Sequence, residues 1–415
     1  MLTLLCLFFT TGVSAGKLLI PMDQEQNNHL KAYGVAFWCL QQGVKVEWLL
    51  NYRGGSFMMD NFEGLKNLCV LRGINYEDAD PDQVGLIRQT IEENNMESVL
   101  LEKAPAVAIY SPPNKEPWDD AVTLALTYAE IDYETLWDAE VLDGKLEEYD
   151  WLHLHHEDFT GQYGKFYKSF RYTIWYQQEV AASEQMARAL GYPKVSHLKA
   201  AVAAAVEDYV ARGGFLFAMC SAVETIDIAL AAAGVDVVPT ELDGDPIDPD
   251  YRSKLDYSKC FAFENFELST NALEYRHSDI DTYPGRQAYI ISQKMDYFTL
   301  FDFAAKLDPV PTMLTQCHVG TIKGFMGQNT ALRKSLLKKF VTILAEVEGQ
   351  DEVRYIHSNY GKGTFTFFSG HDPEDYQHFV GDPPTDLDLY KNSPGYRLIL
   401  NNILFPAAKR KERKT

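Results

Sequence analysis

Short apolar runs alternate with segments of helical apolar spacing along most of the chain, and this pattern predicts an α/β fold. Near the N-terminus, residues 17–22 and 44–50 are predicted strands, and residues 28–42 between them are a predicted helix. These segments predict a β-α-β unit, which together with a more polar connector occupies residues 17–104.

A longer alternation of the same kind follows from residue 105. Strands that alternate with helices of about 10–15 residues indicate a parallel sheet with helices on both faces, the doubly wound arrangement. Residues 105–233 and 331–408 carry this pattern, whereas residues 234–330 are irregular, which predicts an insertion. The predicted strands are 106–110, 133–136, 149–154, 215–219, 353–357 and 364–369, and the predicted helices are 118–129, 197–211, 223–233, 332–346 and 395–404.

Charge and composition narrow the classes of partner. The chain of 415 residues has a formal net charge of −21 at pH 7, and an acidic surface of this kind repels phosphate groups. Nucleic acids and anionic membrane surfaces are therefore disfavoured as partners, and a small molecule or a carbohydrate is the expected partner. The sequence has no glycine-rich phosphate-binding motif, so no cofactor is predicted. The basic run at residues 409–415 is interpreted as a solvated tail.

Residues 1–15 have the features of a secretory signal peptide. Residues 2–9 are apolar, and Val13 and Ala15 occupy the −3 and −1 positions of a cleavage site. We therefore expect a periplasmic or secreted protein. No other segment reaches the ~20 apolar residues that a membrane-spanning helix needs. Five of the six cysteines lie beyond the signal at wide spacings, which is not a disulfide framework.

The turn after the predicted strand 215–219 carries the best candidate nucleophile, Cys220. Small residues flank it at −2 and +2, Ala218 and Ala222, as a nucleophile elbow requires. The N-terminus of the next helix would lower the pKa of the thiol and hold an oxyanion, and Ser221 would contact the substrate. The alternative is a buried, unreactive cysteine at the end of a core strand.

Histidines and acids cluster where the predicted strand 149–154 ends. The carboxyl end of a parallel strand is where doubly wound proteins bind ligands, so these residues are expected to line a substrate pocket. Imidazoles beside carboxylates could also bind a metal, for which two of the histidines are weak candidates. The alternative is a polar strand end whose histidines bond neighbouring backbone. The pocket candidates are His153, His155, His156, Glu157 and Asp158, and the metal candidates are His153 and His155.

A third candidate segment, SGHDPED, follows the last predicted strand. A histidine held by a carboxylate can deprotonate a nearby thiol, so His371 is the candidate base and Asp372 or Glu374 the candidate orienting acid. Gly370 would let the loop turn sharply, and both Gly370 and His378 are expected near the substrate. As structure alone, Asp372 or Asp375 could simply cap a helix that begins near Pro373.

From about Ala106 onward, the elbow Cys220 followed by the late His371 resembles the class I glutamine amidotransferase-like superfamily, including its ThuA-like branch. The stretches GKGTFTFFSGHDPE and HLHHEDF carry the likeness. The resemblance implies a flavodoxin-like sheet with a catalytic cysteine at the elbow and a histidine plus an acid after a later strand. The sequence departs from the family pattern, because the elbow reads A-M-C-S-A instead of G-x-C-x-G and the acid does not follow the histidine as H-x-E.

Over nearly its full length the chain also resembles exported bacterial proteins labelled asparagine synthetase B, through segments such as LLNYRGGSF and GHDPEDYQHFVGDP. Asparagine synthetase itself has an N-terminal cysteine nucleophile and an S-G-G-x-D-S loop for ATP, and this chain has neither. The label therefore does not predict the chemistry.

The leading hypothesis is an exported amidotransferase-like hydrolase, or a degenerate member of that fold. It would act on an amide or C–N bond through Cys220 and His371, with Asp372 or Glu374 orienting the histidine. Two alternatives stay open, namely a non-catalytic protein that binds carbohydrate or another small ligand, and a metal-dependent hydrolase that uses the histidine cluster.

Overall fold

The structure of the protein is a computed structural model that describes residues 16–113, 120–282, 293–308, 310–377, 379 and 381–408. The predicted signal segment 1–15, the tail 409–415 and His378 lie outside the described residues. The described chain is mixed α/β and forms two sheets, in agreement with the predicted fold class at that level. None of its described helices is both long enough and apolar enough to cross a bilayer.

The first sheet is built from the N-terminal elements. They are β1 Lys17–Ile20, α1 His29–Gln41, β2 Val46–Leu50, β3 Ser56–Asp60, α2 Glu63–Arg72, β4 Glu77–Ala79, α3 Pro81–Glu93 and β5 Glu97–Leu101. The strand order is β4-β1-β3-β2-β5, and every neighbouring pair is antiparallel. The predicted β-α-β unit is thus split, with β3 between β1 and β2. Positive φ angles at Asn51, Arg53 and Gly54 reverse the chain, so that β3 pairs back onto β2.

The second sheet contains ten strands. Its strands are β6 Val107–Tyr110, β7 Glu134–Leu136, β8 Trp151–Leu154, β9 Phe215–Met219, β10 Tyr297–Leu300, β11 Thr321–Lys323, β12 Leu332–Arg333, β13 Thr342–Glu346, β14 Glu352–Tyr360 and β15 Gly363–Phe368. The main path is β11-β10-β13-β14-β15-β9-β8-β6-β7, and β12 pairs with β14. The strands β15, β9, β8, β6 and β7 are mutually parallel, whereas the remaining pairs are antiparallel. The sheet is therefore mixed, and the prediction of a mostly parallel sheet is wrong for its other half.

Two local features account for the antiparallel pairing in the second sheet. The turn at Gly361 joins β14 directly to β15 as a hairpin, which leaves no crossover helix between them. The predicted helix 332–346 is wrong, because this segment instead supplies β12 and β13 as partners of β14. Its apolar spacing suits a helix, but its β-branched residues and the pairing surface of β14 favour strands.

Helices cover both faces of the second sheet. The remaining helices are α4 Ala121–Ala129, α5 Asp138–Leu142, α6 Tyr167–Phe170, α7 Ile174–Ala189, α8 Val195–Arg212, α9 Ala222–Ala231, α10 Thr240–Asp243, α11 Tyr251–Lys254 and α12 Pro394–Leu404. One apolar core joins α1, α4 and α12 to the first sheet and to one face of the second. A separate core packs α8 and α9 against the other face. The carboxyl ends of β8, β9 and β15 therefore emerge between two layers of helices.

Candidate functional site

The three candidate segments meet at one edge of the second sheet. Because β8, β9 and β15 are parallel neighbours, the residues that follow them leave the sheet side by side. The backbone N–H of Cys220 donates to the Gly370 carbonyl at 3.1 Å, and the Ala222 N–H donates to the His155 carbonyl at 3.0 Å. The predicted convergence of the cysteine turn with both histidine segments is thus present in the structure.

Three histidines at this edge form a compact cluster. Nε2 of His155 lies 2.8 Å from Nδ1 of His371, and the ring of His156 lies 5.3 Å from that of His155. One ring nitrogen from each of these three residues falls within 4.8 Å of the others. His155 and His371 are buried, and burial holds the pKa of His155 well below its usual range, so its imidazole is neutral. A neutral imidazole is the form in which a histidine ligates a metal.

A carboxylate lies behind the cluster. Asp120 caps the N-terminus of α4 by accepting the N–H groups of Val122 and Thr123. Its Oδ1 also lies 3.6 Å from Nδ1 of His155 and 3.4 Å from Nε2 of His153. Burial alone would raise the pKa of Asp120, but the two imidazoles and the capping N–H groups favour its charged form and hold the pKa well below its usual value. Asp120 can therefore orient His155 from the side opposite His371.

The sequence missed Asp120 because the predicted helix 118–129 placed it inside the first turn. The structure begins α4 at Ala121 and makes Asp120 the cap. An aspartate directly before an apolar, alanine-rich stretch is a helix-cap signal that could have identified it.

The other residues of the HLHHED segment lie outside the three-histidine cluster, although one ring nitrogen each of His153 and His155 and a carboxylate oxygen of Asp120 also fall within 4.8 Å of one another. His153 is buried and its Nδ1 lies 3.0 Å from the Phe217 carbonyl. The Glu157 carboxylate accepts the His155 N–H at 2.9 Å, and burial raises the pKa of Glu157 to about 8. Asp158 accepts backbone N–H groups from three residues of its own loop, Thr160, Gln162 and Gly164. The structure therefore places Asp158 in a loop-holding network and not among the clustered imidazoles.

Cys220 has the backbone conformation of a nucleophile elbow, but the pKa of its thiol is not lowered. Its φ of 51° is in the left-handed region, which is uncommon for a residue other than glycine and fits a sharp strand-to-helix turn. The residue is 4% exposed, and burial raises the pKa of the thiol to about 12, although backbone N–H groups of Ser221 and Gln328 face the sulfur. The expected lowering of the thiol pKa is wrong, because desolvation of the thiolate outweighs these N–H groups.

The predicted acids after His371 hold the loop in place. Asp372 accepts the N–H groups of Glu374 and Asp375, and its other oxygen accepts the hydroxyls of Thr385 and Tyr396. It therefore fastens the loop to α12. The pKa of Glu374 is raised by burial. The carboxylate that the structure brings to the imidazoles is Asp120, not Asp372 or Glu374.

Gly370 meets a tight steric requirement at the start of this loop. Its φ is 91°, and a Cβ there would lie 2.4 Å from the ring of Phe325. A side chain at this position would displace the segment that covers the sheet edge.

That covering segment, residues 325–330, comes from the predicted insertion and was not identified as part of the site. The N–H of His371 donates to the Met326 carbonyl at 3.1 Å, and the N–H of Gly370 donates to the Asn329 carbonyl at 2.9 Å. Together with the Gln328 N–H, which faces the cysteine sulfur, these contacts close the site above β9 and β15. A loop held by tertiary contacts leaves no periodic signal in a sequence.

Comparisons with known proteins give no family. No family model and no curated protein matches this chain. Among solved structures, the chain is similar to the cytoplasmic protein STM1381 from Salmonella typhimurium LT2, with 12% identity and a TM-score of 0.35 over 73% of this chain and 99% of that one. It is also similar to the cytoplasmic protein STM3548 from Salmonella typhimurium, with 10% identity and a TM-score of 0.33 over 74% and 100% of the two chains.

A further likeness is to Gan42B, a GH42 beta-galactosidase, with 14% identity and a TM-score of 0.25 over 66% of this chain and 28% of that one. All of these TM-scores are too low for the likenesses to carry an argument. What can be said of the chain is its class, a mixed α/β protein with a buried histidine cluster at the carboxyl edge of its larger sheet.

Proposed function

We propose that the protein is a metal-dependent hydrolase whose metal is held by His155, His156 and His371. The observation that carries the proposal is the convergence of one nitrogen from each of these imidazoles within 4.8 Å. Three histidines leave a coordination position open, which is the arrangement of catalytic rather than structural zinc sites. Imidazole ligands suit zinc, and also copper, nickel and iron.

The donor set fits such an ion in two respects. A tetrahedral zinc with Zn–N bonds of about 2.0–2.1 Å separates its nitrogens by roughly 3.3 Å, so the 2.8 Å between His155 and His371 needs only a small opening. Ligating histidines also commonly donate their second N–H to a carboxylate, and Asp120 lies beside Nδ1 of His155. The ion would supply Lewis acidity, while the chain holds the imidazoles and covers the site with residues 325–330.

Metal titration tests the proposal. Isothermal titration calorimetry of metal-free protein with ZnCl₂ is expected to give one tight site, which is lost in both His155→Ala and His371→Ala. His197→Ala is the matched control, because His197 is exposed on α8, outside the cluster. Circular dichroism shows whether the buried variants remain folded. Equal zinc binding by folded wild type and folded His371→Ala would refute the metal site.

We also propose that the parallel part of the second sheet is flavodoxin-like and that the protein is periplasmic or secreted. Counting only the parallel strands, the order β7-β6-β8-β9-β15 corresponds to 2-1-3-4-5, which is the flavodoxin-like order. This order supports a relation to the class I glutamine amidotransferase-like superfamily, an argument from fold that does not itself assign chemistry. The signal-like residues 1–15 support a periplasmic or secreted protein.

A second candidate is cysteine-dependent hydrolysis of an amide or C–N bond. It is favoured by the left-handed backbone of Cys220 at the strand-to-helix turn and opposed by the raised pKa of its thiol. Iodoacetamide labelling across pH 6–10 separates the candidates. Alkylation of Cys220 below pH 8 would favour this second function, because a buried thiol with a raised pKa is not expected to react there.

A further inference from the structure

Two polar side chains beside the histidine cluster are buried without hydrogen-bond partners. Asn329 is 0% exposed, and neither its Nδ2 nor its Oδ1 has a partner within the described chain. Ser221 is also 0% exposed, and its Oγ likewise has no partner there. Most buried polar groups in native proteins are hydrogen-bonded, so two such groups at one sheet edge require an explanation.

Both residues belong to the same small region. Ser221 directly follows the elbow cysteine, whose sulfur faces the backbone N–H of Gln328, the residue before Asn329. The Asn329 carbonyl accepts the N–H of Gly370, and the carbonyl of Gly370 accepts the N–H of Cys220. The two unpaired side chains are therefore carried by backbone segments that are joined through Gly370, next to His371.

The loop around Asn329 is fixed by its backbone conformation and by several contacts. Its φ is 58°, in the left-handed region, and its N–H donates to Oδ2 of Asp281 at 3.1 Å. The neighbouring turn is fastened by Thr330, whose hydroxyl accepts the N–H of Gly327 at 3.1 Å. A Cβ at Gly327 would lie 2.8 Å from the backbone nitrogen of His371, so the loop also packs tightly onto the histidine segment. These contacts fix the position of the Asn329 side chain beside the histidine segment.

We infer that Asn329 and Ser221 form a binding subsite for an uncharged ligand group that both donates and accepts hydrogen bonds. The Asn329 amide needs an acceptor for Nδ2 and a donor for Oδ1, and a hydroxyl such as that of Ser221 can do either. A primary carboxamide or a pair of hydroxyls meets these needs. A carboxylate offers acceptors only, and it would be repelled by Asp281, whose carboxylate also acts on Cys220 and accepts the N–H of Asn329.

As a statement about substrate, the inference rests on the proposed function, because the bound group would belong to the molecule that the metal site hydrolyses. Binding of that group to the subsite does not itself require the metal, so the subsite and the metal site can be tested separately.

The first test compares acetamide with acetate, which have nearly the same shape but differ in charge and donors. Thermal unfolding of the full chain is followed with each probe, with and without zinc. We expect acetamide to raise the Tm saturably, with an apparent Kd at least tenfold lower than that of acetate, in both metal states. Saturable acetamide binding without any zinc binding would contradict the proposed function alone. Zinc binding without an acetamide effect would contradict the subsite alone.

The second test uses substitutions with a matched control. Asn329→Gly removes the unpaired amide, and glycine adopts the φ of 58° at this position without strain, so the variant is expected to keep or raise the Tm while abolishing the acetamide effect. Asn402→Ala is the control, because Asn402 is equally buried but donates to the Tyr355 hydroxyl at 2.6 Å, and its loss is expected to lower the Tm. The subsite is overturned if Asn329→Gly retains the acetamide effect, or if it lowers the Tm as much as Asn402→Ala does.

Discussion

The buried imidazolium of His277 predicts a specific dependence of stability on pH. His277 is 1% exposed, and its Nε2 lies 3.2 Å from Asp158 while its Nδ1 lies 3.5 Å from Glu224. Burial alone would lower the pKa of His277, but the two carboxylates raise it to about 9 from 6.5. The cation therefore joins the loop after β8 to the start of α9.

The pKa values give both the size and the sign of the effect. A pKa of about 9 in the folded state against 6.5 in the unfolded state corresponds to about 3 kcal/mol of unfolding free energy. Because the folded pKa is the higher one, this contribution is fully present below pH 6.5 and is lost as the pH rises through 9. Between these values the unfolding free energy contributed by His277 falls by about 1.4 kcal/mol per pH unit.

Urea unfolding of wild type and His277→Gln at several values between pH 6 and pH 9.5 measures this contribution. Other titrating groups largely cancel in the difference between the two proteins. We expect the wild type to be more stable by several kcal/mol at pH 6, with most of that difference gone by pH 9.5. Two stability curves that stay parallel across this range would show that His277 is not held as a cation.

Three further predictions concern the site and its support. Asp120→Asn should weaken zinc binding by about 10–100-fold in calorimetry, because the carboxylate orients His155; unchanged affinity would remove Asp120 from the account. Gly327→Ala should weaken zinc binding at least tenfold, since its Cβ would meet the His371 nitrogen, whereas Gly85→Ala on α3, with no atom within 4 Å, should leave it unchanged. Lys199→Met should lower the unfolding free energy by about 3–5 kcal/mol in urea, because it leaves the buried Asp138 without its cation; a change below 1 kcal/mol would contradict this.

The convergence of the site residues could be predicted from the sequence, because it follows from the direction of the strands. The bounds of the strand before Cys220 were predicted at 215–219 and are observed at Phe215–Met219. Once β8, β9 and β15 are parallel neighbours, their following residues must leave the sheet at one edge. That rule predicts that His155, Cys220 and His371 lie at the same edge of the sheet.

The electrostatics of the site could not be predicted, because they depend on what covers the edge. The sequence leaves two interpretations of Cys220 open, a reactive thiol at a helix N-terminus and a buried cysteine at a strand end. Residues 325–330 cover Cys220, and burial raises the pKa of its thiol. The covering residues lie in a region without periodicity, where Asn329 gives no signal of its role. In the same way, the predicted helix 332–346 is replaced by β12 and β13, since the pairing of these strands with β14 is set by tertiary contact and not by local spacing.

The most direct test of the central claim is zinc K-edge X-ray absorption of the full chain loaded with one equivalent of zinc. We expect three imidazole nitrogens at about 2.0–2.1 Å and one further oxygen or nitrogen ligand, with the imidazole count reduced in His371→Ala. A zinc coordinated mainly by oxygen, or a spectrum unchanged by His371→Ala, would contradict a metal centre at the histidine cluster.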